Sequence, residues 1–372
     1  MIKSIKIRLL PTKEQEELML KSVGCSRFAY NWALSRCNEL YKQNVKYNMS
    51  NIRKEFTQLK KQNGFEWLNE VSSKVMQESM RNLDKAFKLF FKKNSKYPKF
   101  KSKKKSRQSF YVRCDTLYFK DDVCNIEKIG KVKYKTNYNI PNYKYSNPYC
   151  SFDGKYWYLS FGIEFNENQV ELNKDLSIGV DLGIKELAVL SNGIFYKNIN
   201  KSYKIKKLNK RLKRLQKQLS RKYEMNKDGK KYIKTKNIIK LEKQIKLLHR
   251  RIANINQNHR HHLTSNIIKL RPYRVVIEDL NVKGMMKNKH LSSAIGKQGF
   301  YEIRRQLEYK CEWNGIELVI ADRFYPSSKK CSCCGHIKKN LKLSDRTYIC
   351  EECGLIIDRD YNASINLANY NL

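Results

Sequence analysis

Acidic residues are scarce in this chain: 35 Asp and Glu stand against 77 Lys and Arg, a formal net charge of +42. Such an excess repels itself unless a polyanion neutralises it. A codon bias toward Lys, Asn, Ile and Tyr would raise the Lys count, but it would raise Asp and Glu too, and here they lag. Membrane surfaces and acidic tails are polyanions, yet 24 Tyr and 15 Phe interleaved with Lys favour nucleic acid, whose bases stack on rings. Also missing is any apolar run of about 18 residues, so no membrane span is expected. The opening MIKSIKIRLLPT alternates basic and apolar residues and is not a secretory h-region, which predicts a cytoplasmic protein. Eleven cysteines in a reducing compartment are thiols or metal ligands rather than disulfides. With 41% apolar residues in 372, the chain has enough material for two or three domains with real cores.

Ile2 to Leu10 reads as a strand ended by Pro11. Thr12 is a candidate N-cap with Glu14 and Glu16 in the first turn, opening a helical block to about Lys93. Its aromatic residues recur at helical spacing and are assigned to core packing. The block breaks at SKYPKFKSKKKSRQSF, where Lys96, Lys99, Lys101, Lys103, Lys104, Lys105 and Arg107 crowd around Pro98. A charge run is ordinarily a solvated face; in so basic a chain, a linker tracking phosphates is the better reading. From Phe110 to about Phe165 short alternating strands (FYVRC, TLYF, VCNIE, KVKYK, YWYLSFGI), with Asp153-Gly154 as a hairpin signal, predict a small β-barrel completed by the N-terminal strand.

Residues 176–198 read as three strands, Leu176–Asp181, Glu186–Leu190 and Gly193–Lys197. Leucine and isoleucine stripes on either side of Asp228-Gly229 predict an antiparallel helical hairpin over 199–262 with a basic outer face. A further helix ended by Pro272 follows, then the strand RVVIEDL, a helix over Gln298–Trp313, the strand GIELVIA (315–321) and a helix over Asn362–Asn369. This order resembles an RNase H-like fold in an α+β, multidomain chain.

Three acids sit where chemistry could use them. Asp181 ends an apolar strand, and Gly183 beside it permits a sharp exit and close approach of a ligand. Glu278 closes a β-branched run, with Asp279 as its competitor; Asp360 opens the last helix, with Asp358 as its competitor. Each alone is ordinarily a turn residue or a helix cap. Together, carboxylates from the first and fourth strands and the last helix would repel one another. Two Mg²⁺ ions would neutralise them, activate a water and stabilise the leaving oxygen of a phosphodiester. The pairs Cys331/Cys334 and Cys350/Cys353, with fifteen residues between them, fit a tetrahedral zinc ribbon closed by Gly335 and Gly354; an iron–sulfur cluster is the alternative. Cys333 points away from such a metal, and His336 is not needed by it. The zinc would be structural. Cys25, Cys37, Cys114, Cys124, Cys150 and Cys311 lack metal spacing and read as small buried hydrophobes.

GVDLGIK, VIEDLN, the KKCSxCG…YxCxxCG ribbon and DRDxNASxN, in that order, resemble the TnpB family of transposon-encoded proteins, relatives of type V CRISPR effectors. KIRLLPTKEQEELM…GCSRFAYNWAL, SSKVMQESMRNLDKAF and YPKFKSK extend the resemblance over nearly the whole chain. It implies an RNA-guided DNA endonuclease with a β-barrel wedge domain (1–11 and 108–170), a helical recognition domain with basic linker (12–107), a RuvC-like nuclease domain (171–325 and 355–372) and a zinc-ribbon insert (326–354). By motif, Asp181, Glu278 and Asp360 match its catalytic triad, and Cys331, Cys334, Cys350 and Cys353 its zinc ligands. Arg346 lies in its Ser-Asp-Arg stretch and would reach the substrate phosphate; a solvent-facing arginine is the plain alternative. Ser364 stands where the second Ala is commoner, a small-for-small change suited to a helix interface.

The partners implied are a guide RNA transcribed from the element end and double-stranded target DNA, with the protein monomeric in the ribonucleoprotein and no membrane involved. The basic hairpin and the Lys96–Arg107 linker would hold the guide and the guide–target hybrid. Lys74 and Gln77 are candidates for reading a short motif beside the target. Three rivals stay open: a transposase doing strand transfer, a guide-independent nuclease, and an RNA-guided DNA-binding repressor that does not cut.

Overall fold

The computed structural model describes residues 2–137, 139–141, 144–164, 171–342 and 344–371. It divides into two compact units, with the division at residue 166.

The first unit begins with β1 (Ile2–Leu10), α1 (Lys13–Lys42), α2 (Met49–Leu59) and α3 (Ser73–Phe91). As expected, Thr12 caps α1, and Gln15 completes a capping box by bonding back to the Thr12 N–H. The strands β2 (Gln108–Tyr111), β3 (Phe119–Lys120), β4 (Val123–Ile126), β5 (Gly130–Lys135), β6 (Ser146–Phe152) and β7 (Trp157–Glu164) join β1 in one sheet, in the order β2-β6-β7-β1-β5-β4-β3. The N-terminal strand therefore forms the centre of the sheet, and its alternation explains why. Ile5, Ile7 and Leu9 face one core with Phe110, Val132, Trp157 and Phe161, while the residues between them face outward. Met19 and Val23 of α1 and Val75 of α3 pack into that same core. The rest of the helices share a second core around Ala29, Ala33, Ile52, Phe56, Met80, Leu83 and Phe87. Strand β6 was not expected. Pro148 lacks an N–H, Asn147 sits at φ +47°, and the register shifts between Ser146 and Tyr149, so the alternation is broken where the eye needs it.

The second unit continues with β8 (Asn173–Leu182), β9 (Glu186–Leu190), β10 (Phe195–Lys197), α4 (Tyr203–Met225), a two-stranded turn β11 (Lys227–Asp228) and β12 (Lys231–Tyr232), then α5 (Lys236–Lys269). There follow β13 (Pro272–Glu278), α6 (Val282–Met285), α7 (Ser292–Gln298), α8 (Phe300–Trp313), β14 (Glu317–Ala321), β15 (Thr347–Ile349), β16 (Ile356–Asp358) and α9 (Arg359–Ala368). The main sheet runs β10-β9-β8-β13-β14, with β8–β10 antiparallel and β8, β13 and β14 parallel. One face carries Leu263 and Ile267 of α5 with Ile303 and Leu307 of α8, packed on Val275 and Ile277. On the other face Leu367 of α9 meets Val276 and Ala321. The expected separate helix before Pro272 is instead the end of α5. No Gly or Pro interrupts residues 236–269, so one helix packs first on α4 and then on the sheet. Among the described residues no helix is long and apolar enough to cross a membrane.

Candidate active site and metal centre

Adjacent parallel strands bring the first two acids together. Val180 of β8 is in register with Ile277 of β13, and Asp181 and Glu278 are the next residues on each strand. Both sit at the carboxyl ends of parallel strands, where an open α/β sheet presents its ligands. Burial, then Glu278 and Asp360, hold the Asp181 carboxyl well above the usual range. Burial also raises Glu278, with Asp360 adding to it and the Ser327 hydroxyl, which donates to Oε1, opposing it. Three partly buried acids pressing on one another would be relieved by a cation, and hard carboxylate oxygens suit Mg²⁺. Their oxygens are less tightly gathered than the thiols below: among the described residues, the four cysteines form the one group of three or more such side chains gathered closely enough to hold a metal ion, their Sγ atoms within 4.8 Å of one another.

The competitors of both acids are engaged elsewhere. Asp279 is bound by Arg304 at 3.1 Å and by Arg323. Asp358 is the N-cap of α9, its Oδ1 accepting from the Asp360 and Tyr361 N–H groups at 3.0 Å. Asp360, in the first turn of α9, faces the cluster. Arg359 reaches its Oδ1 at 3.3 Å and Arg346 its Oδ2 at 4.0 Å. Arg346 thus stands at the acids, where the alternative had it facing solvent alone. Its side chain is about half exposed, whereas that of Arg359 is mostly buried.

What lets α9 carry Asp360 to the sheet is Gly179, which the sequence reading passed over in favour of Gly183. A Cβ at Gly179 would come within 1.9 Å of the Ser364 carbonyl oxygen and 2.4 Å of the Ala368 N. At Gly183 the nearest atom is the chain's own Glu186 carbonyl oxygen at 3.1 Å. A GxD pattern at a strand end, the glycine two before the acid, was the available signal. Ser364 is fully buried, as a helix-interface position requires, and its hydroxyl donates to the Tyr361 carbonyl at 2.7 Å.

The two asparagines of the last motif tie the cysteine-rich segment to α9. Asn362 donates to the Lys330 carbonyl at 2.7 Å and accepts from the Ser332 N–H at 3.0 Å, and Asn366 donates to the Ser327 carbonyl at 2.8 Å. Both asparagines are buried. The ribbon's hairpin, β15 with β16, runs straight into α9.

Cys331, Cys334, Cys350 and Cys353 converge as spacing required, with Sγ–Sγ distances of 3.7 Å for Cys331–Cys353 and 3.5 Å for Cys334–Cys350. A tetrahedral site with Zn–S near 2.3 Å has an S–S edge of about 3.8 Å, so the thiols fit zinc. The backbone N–H groups of Cys353 and then Glu352 pull the Cys350 thiol down to about 6. Burial and the neighbouring thiols raise Cys334 and push Cys353 up to about 12, so the cluster holds one thiolate readily and shares protons among the rest until a metal displaces them. Gly335 and Gly354 close the two knuckles at φ +78° and +70°. Cys333 is exposed and outside the cluster, and His336 lies instead 3.7 Å from Glu352. Of the remaining cysteines, Cys25, Cys37, Cys124, Cys150 and Cys311 are buried, as expected, but Cys114 is only partly so, 3.0 Å from the Tyr111 hydroxyl. Burial pushes Cys25 and Cys37 up to about 11 and Cys124 and Cys311 up to about 12, which leaves them inert.

Apart from Arg346, the single residues proposed to touch nucleic acid lie in the first unit and are of three kinds. Lys99, Lys103, Lys104 and Lys105 are exposed. Lys101 differs: Asn31 clamps its backbone through two hydrogen bonds, and its ammonium lies 3.8 Å from the Tyr30 ring centroid. Burial lowers its pKa, so it is a packing lysine before it is a phosphate contact. On α3, Gln77 is exposed and lines a groove of about 380 Å³ with Arg53, Lys54 and Lys60, while Lys74 one turn earlier is half-buried.

Three family models match this chain: "Helix-turn-helix domain" over residues 1–46, "Probable transposase" over 160–289, and "Cas12f1-like, TNB domain" over 300–367. Residues 1–46 here form one strand and one long helix. The sequence is 31% identical to a provisionally named RNA-guided DNA endonuclease of Streptomyces pristinaespiralis, over 98% of this chain and 88% of that protein. It is 30% identical to the similarly named InsQ of Escherichia coli K12, over 98% and 91%. The fold is that of a Cas12f1 chain in a cryo-EM structure of a Cas12f1–sgRNA–target DNA complex, with a TM-score of 0.61 at 14% identity over 99% of each chain. Relatives named TnpB-like occur in Acanthamoeba polyphaga mimivirus, 31% identical over 36% of this chain and 26% of theirs. With near-full-length identity above 30% and the transposase model matched across β8 to β13, this chain belongs to the TnpB family.

Proposed function

We propose that this chain is an RNA-guided DNA endonuclease that hydrolyses phosphodiesters at Asp181, Glu278 and Asp360, within an RNase H-like (RuvC) nuclease domain. One observation carries the reading: three partly buried acids from distant segments converge, in a chain aligned nearly end to end with relatives named for this activity. The sheet order β10-β9-β8-β13-β14 supports the RuvC assignment. Two Mg²⁺ ions, when bound, would neutralise the acids, activate a water and stabilise the leaving 3′ oxygen.

The chain's own residues do the rest. Strand ends fix Asp181 and Glu278, Ser327 orients Glu278 through its hydroxyl, and α9 sets Asp360 over Gly179. Arg359 keeps a positive charge beside Asp360, and the more exposed Arg346 is placed to take a phosphate oxygen. A zinc held by the four thiolates would fix the ribbon that carries Arg346. The basic α4–α5 hairpin and the exposed linker lysines would track the guide RNA and its hybrid with the target, pairing supplying the sequence. The α3 face with Gln77 and Lys74 would read a short motif in the adjoining duplex. All three acids come from one chain, so one copy suffices for the cut.

The test is to purify the protein from cells carrying its native flanking DNA, sequence the bound RNA, and challenge the complex with DNA complementary to it. Cutting that follows the RNA supports the reading. RNase-resistant cutting would make it a guide-independent nuclease, joined strands a transposase, and target binding without cutting a repressor.

A further inference from the structure

A cavity of about 390 Å³ opens beside the acid cluster. Glu278 forms part of its wall, and so does Leu182, the residue after Asp181. Leu280 and Phe300 add an apolar floor, while Tyr301, Arg304 and Arg323 stand around it. Its volume is at the low end for ligand pockets: it has room for one nucleoside and none for a segment of duplex. Tyr301 is 71% exposed, a ring with little of its surface covered by the fold. Arg304 and Arg323 are both held by Asp279, which fixes their planar guanidinium groups. Lys283, Arg304 and Arg323 line the cavity with Glu278 and Asp279, and Arg304 also pairs with Glu308, so the rim is of mixed charge with cations placed to meet a phosphate. Guanidinium planes and tyrosine rings are surfaces on which unpaired bases stack.

We propose that this cavity takes one unpaired nucleobase of the DNA strand being cut, stacked on Tyr301 and flanked by Arg304 and Arg323. This rests on the nuclease reading and deepens it. The pocket sets which phosphate reaches the acids, because only an unpaired base can enter it.

The full chain with its guide RNA tests this on a single-stranded oligodeoxynucleotide in which each nucleotide near the cut is replaced in turn by an abasic residue. One position should slow cutting about 5- to 150-fold, the usual worth of one stacked base. Tyr301→Ala should slow the intact strand by a similar factor and show no further loss with the abasic strand, while Tyr301→Trp restores the rate. Tyr301→Ala cutting at the wild-type rate, or losses that multiply, overturns the pocket. A second arm does not need cutting: strands carrying 2-aminopurine at successive positions are bound without added Mg²⁺, which leaves the ribbon its zinc. At one position fluorescence should be quenched by the wild type and recover in Tyr301→Ala; identical quenching in both overturns the proposal. If the wild-type complex cuts no DNA, the nuclease reading fails, and the fluorescence arm still decides the pocket.

Discussion

Two clusters in the second unit each gather like groups, and they are built in opposite ways. The four thiols lie between residues 331 and 353, and two tight knuckles bring them within 4.8 Å of one another. The three acids come from residues 181, 278 and 360, and only the folded sheet and its covering helix bring them together. In the thiol site the spacing is the site. In the acid site the ligands are ordinary residues, and the elements that let them approach hold the specificity. A local site should therefore fail when a ligand is lost and a distributed one also when its packing shifts.

The largest effect expected is at the acids themselves. Asp181→Ala should lower guide-directed cleavage at least about a thousandfold, since stabilising the transition-state charge at such a site is worth several kcal/mol. RNA and target binding, measured by gel shift, should stay within about twofold, because the substitution would remove a metal ligand and no basic group that attracts phosphates. Loss of RNA binding as well would make Asp181 a structural residue.

Gly179→Ala tests the packing half of the comparison. The added methyl meets backbone of α9, which cannot rotate away as a side chain would, so the helix must move. A shift of about 1 Å in a reacting group costs on the order of a hundredfold. Cleavage should fall by about that much, with overpacking costing a further 1–3 kcal/mol in thermal stability. Cleavage within threefold of wild type would show that Asp360 does not depend on that contact.

This difference decides what could be read beforehand. Cys-x₂-Cys twice over specifies its geometry without the fold, so the ribbon ligands were legible from spacing. Asp181 and Glu278 were legible as strand-end acids; Glu278 over Asp279 rested on motif resemblance, and the positions of Arg304 and Arg323, on other elements, give the physical reason. Asp360 over Asp358 rested on motif resemblance, and the cap geometry gives the physical reason. Arg359, Ser327 and Gly179 were missed because each acts through a partner distant in sequence. The alternating N-terminal strand announced itself, whereas β6 was hidden by a proline and a bulge. Helix α5 was cut short because its stripe changes partners midway, from α4 to the sheet.

Cys350→Ser breaks the local site. Zinc content by mass spectrometry should fall from one per chain to near zero, and the ribbon should become sensitive to protease, because so small an insert depends on its metal. Cleavage should fall about tenfold, less than for Gly179→Ala, since the ribbon acts on the acids from outside the sheet, through Arg346, the Ser327 hydroxyl and the Asn362 and Asn366 anchors. A chelator added to the wild type should reproduce the protease sensitivity. Full zinc content in the variant would mean that another residue ligates the metal.

Cys333→Ser is the smallest change and the sharpest control on the idea that spacing alone defines the ribbon. Cys333 and Cys334 are neighbours with the same chemistry, and in sequence only the Cys-x₂-Cys rule separates them. In the structure Cys333 is exposed and lies outside the thiol cluster, while Cys334 lies 3.5 Å from Cys350. Replacing an exposed thiol by a hydroxyl removes no buried contact and no ligand, so stability should change by no more than about 0.5 kcal/mol. Zinc content and cleavage rate should match the wild type, and the variant should also resist the oxidative cross-linking that an exposed thiol invites. If it lost zinc as Cys350→Ser does, the knuckle would be ligating through its middle cysteine, and the spacing argument would fail at the site where it is strongest.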